Sequence, residues 1–201
     1  MSTVAPSTSA PSTPHSAPST QLWALDPAHT QVGFAVRHLM ISTVRGRFGD
    51  VAGSLSVPDG DFSRATLNAT IGVDSLDTRE PQRDAHLRSA DFFDAANYPT
   101  ITFASTRIVA DPQKQGSYVL VGDLTIHGVT REVRLNVVSE GQGRDPWGNQ
   151  RAGFSATARV SRKDFGLTWN QLLETGGVAV GDEVTITIDA EVIAKVNEAA
   201  A

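Results

Sequence analysis

From Thr30 onward apolar and polar residues alternate along most of the chain with a period of two, the spacing of strands with one dry face and one wet face. Thr30–His38 places Val32, Phe34, Val36 and His38 on one side, and Ala65–Val73 does the same for Leu67, Ala69, Ile71 and Val73. Between them, Leu39–Thr43 breaks the alternation and reads as a helical turn. Val44–Val57 reads as extended chain with bulges or bends at Gly46, Gly49 and Gly53. Ser117–Ile126 groups Tyr118, Leu120, Gly122, Leu124 and Ile126, and Gly128 turns the chain back into Val129–Val138, so the two runs predict a hairpin. Ala152–Val160 alternates through Phe154, Ala156, Ala158 and Val160; Asp182–Ala194 through Val184, Ile186, Ile188, Ala190 and Val192. Pro58–Asp61, Asp111-Pro112 and Asp145–Asn149 carry the turn chemistry between runs.

One long segment does not alternate. Asp77–Phe103 mixes charge and aromatics and reads as a lid: Pro81 fits only a first helical turn, Thr78 is the expected cap, and a short helix is predicted through about Ser89. Within it Asp84 and Arg88 stand at i,i+4 and are expected to pair, leaving Arg83, Leu87 and Ala90 on another side. Phe92 and Phe93, if extended, point in opposite directions, so one of them faces inward. Thr100–Val109 follows as a further strand that contains Phe103. The plainer reading of the segment is a surface crossover held by weak ion pairs.

About eight strands joined by turns too short for parallel crossovers predict an all-β, antiparallel sheet, with a barrel favoured over a sandwich because closure removes exposed edges. The dry face is not uniformly bulky: Ala69, Gly122, Ala156, Ala158 and Ala190 interleave with larger residues. An eight-stranded barrel with such a lining has room for one apolar ligand; alternatively, small and large residues simply interlock in a packed barrel.

Composition narrows the chemistry. The 201 residues carry 17 Lys+Arg against 22 Asp+Glu, a net charge of -5 with no basic run, which argues against nucleic acid as a partner. With no cysteine there is no disulfide, thiolate catalysis or Cys-bound zinc. Residues 1–20, nearly all Ser, Thr, Ala and Pro, are expected to form a disordered tail, residues 21–195 the barrel domain, and residues 196–201 a short flexible end. The tail lacks the basic start and apolar stretch of a secretory signal, and no run is long enough to span a bilayer, so a cytoplasmic protein without an integral membrane segment is expected.

The five histidines, His15, His29, His38, His86 and His127, show no metalloprotease spacing, and no metal is expected. His29 reads as a turn residue after Asp26-Pro27. No Gly-x-Ser-x-Gly elbow is present, and Gly176–Gly181 lacks the Lys-Ser/Thr of a phosphate loop and reads as a flexible loop.

Several stretches, in order, resemble the YceI-like family of polyisoprenoid-binding, lipocalin-like proteins. They are Trp23–Asp26 with His29; Val32-Gly33-Phe34 to Leu39; Gly46-Arg47-Phe48; Arg83–Phe93 with Tyr98-Pro99; Gly122–Thr130; Asp145–Gly148 with Arg151–Phe154; and Lys163–Leu167 with Gly181–Val184. The resemblance implies an antiparallel eight-stranded barrel with a short helical cap. It further implies a tunnel for a long lipid such as a polyisoprenoid, an isoprenoid quinone or a fatty-acid derivative, no established catalysis, and frequent pairing into homodimers. No family-wide set of ligand contacts carries over, so the candidate ligand-binding residues come from facing and from the lid. Phe34, Leu67, Ile71, Phe103, Leu120, Leu124, Phe154 and Ile186 are expected along the tunnel. Leu87 and Phe92 are expected at the lid, and His38, Arg83, His86 or Arg88 at a head group.

The leading expectation is therefore a carrier or store of a long-chain lipid, with no cofactor other than that bound lipid and no catalytic residue. Two rivals stand beside it: an enzyme acting on a lipid with His86 and Asp84 or Asp91 as acid and base, and a filled barrel with a purely structural role.

Overall fold

The computed structural model describes residues 19–172 and 177–195. Nearly all of the expected tail, the C-terminal end from residue 196, and Gly176 of the glycine-rich loop lie outside the described residues.

The strands are β1 (Thr20–Leu25), β2 (Gln31–His38), β3 (Ser42–Phe48), β4 (Val51–Pro58), β5 (Thr66–Gly72), β6 (Leu76–Asp77), β7 (Thr100–Ala110), β8 (Ser117–Ile126), β9 (Val129–Arg144), β10 (Gln150–Ser161) and β11 (Val180–Ala194). The helix α1 spans Pro81–Arg88. All pairings are antiparallel, and the ring β1-β4-β5-β7-β8-β9-β10-β11 closes through Leu25↔Val192 and its neighbours, giving an eight-stranded barrel. Closure satisfies the backbone groups that an open sheet would leave on two edges.

The first three courses of the barrel are broken strands. β1 and β2 both lie along β11, at Leu25↔Val192 and then Gln31↔Asp189, with Asp26–Thr30 as the interruption. β3 and β4 form the next course, pairing with β2 and β1 and breaking at Gly49-Asp50. The third consists of β5 and β6. β5 pairs with β7 as far as Gly72↔Thr100, whereas among the described residues β6 pairs with β3 alone. The chain from α1 to Pro99 occupies the place where β6 parts from β7. We call that end, with the β2–β3 and β8–β9 turns, the upper end.

The expected strands are present, with several corrections. Residues 39–41 form a hairpin turn between His38↔Ser42, not a helical turn. Gly46 and Gly53 do not mark bulges: a Cβ at Gly46 would lie 2.3 Å from the Phe34 ring, and one at Gly53 2.6 Å from Leu25, so both make room for inward neighbours. Of the three expected interruptions, the one at Gly49 is present, between the end of β3 and the start of β4. β1 had no alternation long enough to reveal it, and it is the strand that closes the ring. The β8–β9 hairpin turns on His127 (φ 52°) and Gly128 (φ 73°), the doubly left-handed turn whose twist matches its strands.

In the lid, the cap is Glu80, whose carboxylate accepts from the backbone N–H groups of Gln82 and Arg83. Thr78 is buried instead, donating its backbone N–H to Asp84 at 3.0 Å and receiving Arg83 Nε on its hydroxyl at 2.7 Å. Asp84 is thereby turned away from Arg88, which donates to the carbonyl of Leu76, so the expected i,i+4 pair does not form. Among the described residues no helix is long and apolar enough to cross a membrane.

Candidate functional site

The inward faces of the eight courses enclose an apolar cavity of about 290 Å³. Every course contributes: Phe34 from β2, Val51 from β4, Leu67 and Ile71 from β5, Phe103 from β7, Leu120 and Leu124 from β8, Leu135 from β9, Phe154 and Ala156 from β10, Ile186 and Ala190 from β11. The alternation explains this directly, because every second residue of a strand in a closed barrel points to the axis.

Not all the small residues leave space. A Cβ on Gly122 would stand 2.4 Å from Cζ of Phe103, so that ring already fills the room the glycine vacates. Ala69, Ala156, Ala158 and Ala190 do line the cavity.

The lower end is plugged by Trp23, Val57, Ala65, Ala152 and Val192, with Phe62 packed against Trp23 at 5.4 Å and against Phe154 at 5.4 Å between ring centres. At the upper end the lid sits over the wall. After α1 the chain folds back on the helix's last carbonyls, Phe93 N–H donating to Leu87 O (3.0 Å) and Ala95 N–H to Arg88 O (2.9 Å). Because these residues form turns and are not extended, Phe92 and Phe93 both reach the cavity, where one was expected. Phe93 meets Phe48 of the wall edge-on at 6.0 Å; Phe92 packs on Trp169 at 5.2 Å.

Arg162 is the one charged side chain among the described residues of the lining, and it is 5% exposed. Its guanidinium donates to the carbonyls of Gly181 (2.9 Å), Leu167 (2.5 Å), Trp169 (2.8 Å) and Val180 (3.4 Å) and to Asp182 Oδ1 (3.2 Å). Burial lowers its pKa from the ordinary arginine value, an effect the charge of Asp182 partly offsets. With its donors committed to four carbonyls and Asp182, Arg162 ties the loop after β10 to β11.

On the outside, the break between β1 and β2 is held by a charged network. Arg151 donates to Asp26 (2.7 Å), Asp145 (2.8 Å) and Glu191, and His29 Nδ1 lies 2.8 Å from Asp26. The bonds from His29, then Arg151, hold the Asp26 carboxyl down at about 2 against the opposing effect of burial. For Asp145, burial raises the pKa, but bonds from Asn149, Arg151 and the backbone N–H groups of Asn149 and Trp147 outweigh it and leave it well below the usual carboxylate range. The bonds of Arg151 to Asp145, Glu191 and Asp26 in turn raise its own pKa, against the opposing effect of burial. Asp26, His29 and Glu191 are close enough together to offer a metal three ligands, but the Arg151 guanidinium already supplies the positive charge between Asp26 and Glu191.

Of the residues expected at a ligand, Phe34, Leu67, Ile71, Leu87, Phe92, Phe103, Leu120, Leu124, Phe154 and Ile186 come together on the cavity wall. The polar ones stand outside that wall. His38 ends β2 opposite Val180, Arg83 is spent on Thr78, and Arg88 on Leu76. His86 lies 2.9 Å from Asp91 and packs edge-on against Trp169 at 4.7 Å, so the acid–base pair envisaged there exists but does not face the interior. Phe62, Phe93, Arg162, Phe165 and Leu167 line the cavity without having been expected to. All five sit in turns, short 3-10 segments or irregular chain, where no two-residue period reports facing.

A model of the YceI-like domain matches residues 23–192 of the chain. The chain is 41% identical over 140 residues to a UPF0312 protein of Vibrio cholerae, spanning 70% of this chain and 73% of that one. Its fold is similar to that of BcnA from Burkholderia cenocepacia, with a TM-score of 0.71 and 23% identity over 83% of this chain and 98% of that one. It is also similar to a polyisoprenoid-binding domain from Saccharophagus degradans, with a TM-score of 0.64 and 14% identity over 86% and 98%.

Proposed function

This chain belongs to the YceI-like family, and from that premise we propose that it binds a long-chain apolar lipid in the barrel interior, for carriage or storage. A polyisoprenoid, an isoprenoid quinone and a fatty-acid derivative are the candidates of that class. The observation that carries the proposal is the lining: apolar side chains from all eight courses and, among the described residues, a single charged group whose donors are already taken. A sugar or nucleotide placed there would bury hydroxyls without partners, at about 1–3 kcal/mol each. A hydrocarbon asks for none, and each buried methylene contributes about 0.8 kcal/mol. The polyisoprenoid binding named for the Saccharophagus degradans domain, which shares the fold, supports the same ligand class.

The volume, about 290 Å³, lies at the small end of ligand cavities, which favours a slender chain over a bulky ring system. Organic extraction of protein purified from its native source, followed by mass spectrometry, tests the proposal. A stoichiometric long-chain lipid is expected, and repeated extracts without one count against it.

A further inference from the structure

The β2–β3 turn departs from what a hairpin in water requires. Leu39 and Met40 both hold left-handed backbone (φ 51° and 59°), a conformation that Gly or Asn adopts cheaply and bulky residues do not. The β8–β9 turn, at the same end of the barrel, uses His127-Gly128 for a comparable geometry. Here the tip instead presents Met40, 56% exposed, and Ile41, 80% exposed. Beside it Leu39 N–H donates to Ala179 O (2.8 Å), and Ala179 N–H to Gln171 O (2.9 Å), which brings the neighbouring loop, with Leu172 82% exposed, against the same tip.

Cations stand beside this apolar tip. Arg37 props it, donating Nη2 to Met40 O (2.5 Å), and Arg45 and Arg79 share the outer groove below it. The carboxylates around that groove are already matched: Asp77 with Arg47, Asp182 with Arg162 and Lys163, Glu183 with Arg159. Among the described residues Arg37, Arg45 and Arg79 have no carboxylate partner, in a chain whose net charge is -5. The tip also stands close to the cavity: Val36 and Val180 line it, and His38, paired with Val180, is the last strand residue before the turn.

We propose that the Leu39–Ile41 tip and its arginine flank dock on the headgroup region of a bilayer containing anionic lipid, with Met40 and Ile41 entering the interface. Apolar side chains at a protruding tip, flanked by unmatched cations, are what such a surface takes up, through apolar burial together with attraction to anionic headgroups. The proposal rests on the lipid-binding reading and extends it, naming the bilayer as the partner with which cargo is exchanged and the upper end as the place of exchange.

Vesicle flotation of the full chain tests it. The wild type is expected to float with phosphatidylcholine vesicles that contain phosphatidylglycerol, to float poorly with phosphatidylcholine alone, and to release as salt rises. Met40→Asp combined with Ile41→Asp is expected to weaken flotation by about tenfold or more, and Arg45→Glu to weaken it on anionic vesicles. Trp147→Asp, at the exposed β9–β10 turn of the opposite end, is expected to leave it unchanged. Uptake of a fluorescent polyene fatty acid added from ethanol reports the cavity separately, and the double variant is expected to retain it. Failure of the wild type to float on anionic vesicles, or equal flotation by the double variant, overturns the proposal. Flotation by a protein that takes up no probe upholds the docking and sinks the reading of the cavity instead.

Discussion

Ala156→Leu separates a hollow barrel from a solid one. Ala156 is 8% exposed, lies level with Val137 and Ile188 on the flanking strands, and belongs to the middle cluster with Leu120 and Leu135. The substitution adds three carbons directed at the axis. If they occupy space otherwise available to a hydrocarbon, about three methylenes of ligand are displaced at about 0.8 kcal/mol each, a loss of about 2.4 kcal/mol or about 60-fold in Kd. In the delipidated protein the same carbons fill a void, so stability is expected to rise by up to about 2 kcal/mol, about 5 °C in Tm for a domain of this size. The opposed signs are the signature. Fluorescence titration with a polyene fatty acid gives the affinity, and calorimetry of the delipidated protein gives Tm. A packed interior predicts the reverse: three extra carbons overfill it and cost about 1–3 kcal/mol, so Tm falls. A drop in Tm with unchanged affinity refutes the hollow interior and the facing argument with it.

Two further outcomes follow from the same geometry. Gly122→Ala places a methyl 2.4 Å from the Phe103 ring and 2.5 Å from the carbonyl oxygen of Ala104; since backbone cannot swing aside, denaturant unfolding is expected to show a loss of about 1–3 kcal/mol, and wild-type stability would contradict the packing of Phe103 over Gly122. The low pKa of Asp26, about 2 against an unfolded value of 3.8, means that folding favours its ionised form. Its contribution is full above about pH 4 and is lost as pH falls towards 2, so Asp26→Asn is expected to flatten the acid limb of a stability–pH curve in that window, and an unchanged limb would remove the network from the account.

Facing was legible in the sequence because it is a local property. A period of two states which side chains share a face, and for β5, β8, β10 and β11 it named residues that do line the interior, such as Leu67, Leu120, Ala156 and Ile186. Turn chemistry was legible for the same reason: His127-Gly128 lies at the corner of its hairpin. The polar head-group candidates were harder to place, because His38, Arg83 and Arg88 were judged by residue type, and what they bond is set by neighbours in space. Asp84 is the clearest instance. Its spacing to Arg88 fits an ion pair, but the buried Thr78 takes its carboxylate.

What the chain by itself determined was an antiparallel all-β domain with a dry face, most of its strands and a short helix from Pro81. Tertiary structure decided that β1 meets β11 to close the ring, that Phe103 occupies the room left by Gly122, that Phe92 and Phe93 both turn inward, and that Arg162 spends its donors on four carbonyls and Asp182. The physical reason is common to all four. Alternation records which way a side chain points, whereas closure, filling and hydrogen-bond partnership depend on groups up to about 170 residues apart along the chain, as Trp23 and Ala194 are, and no local pattern carries that information.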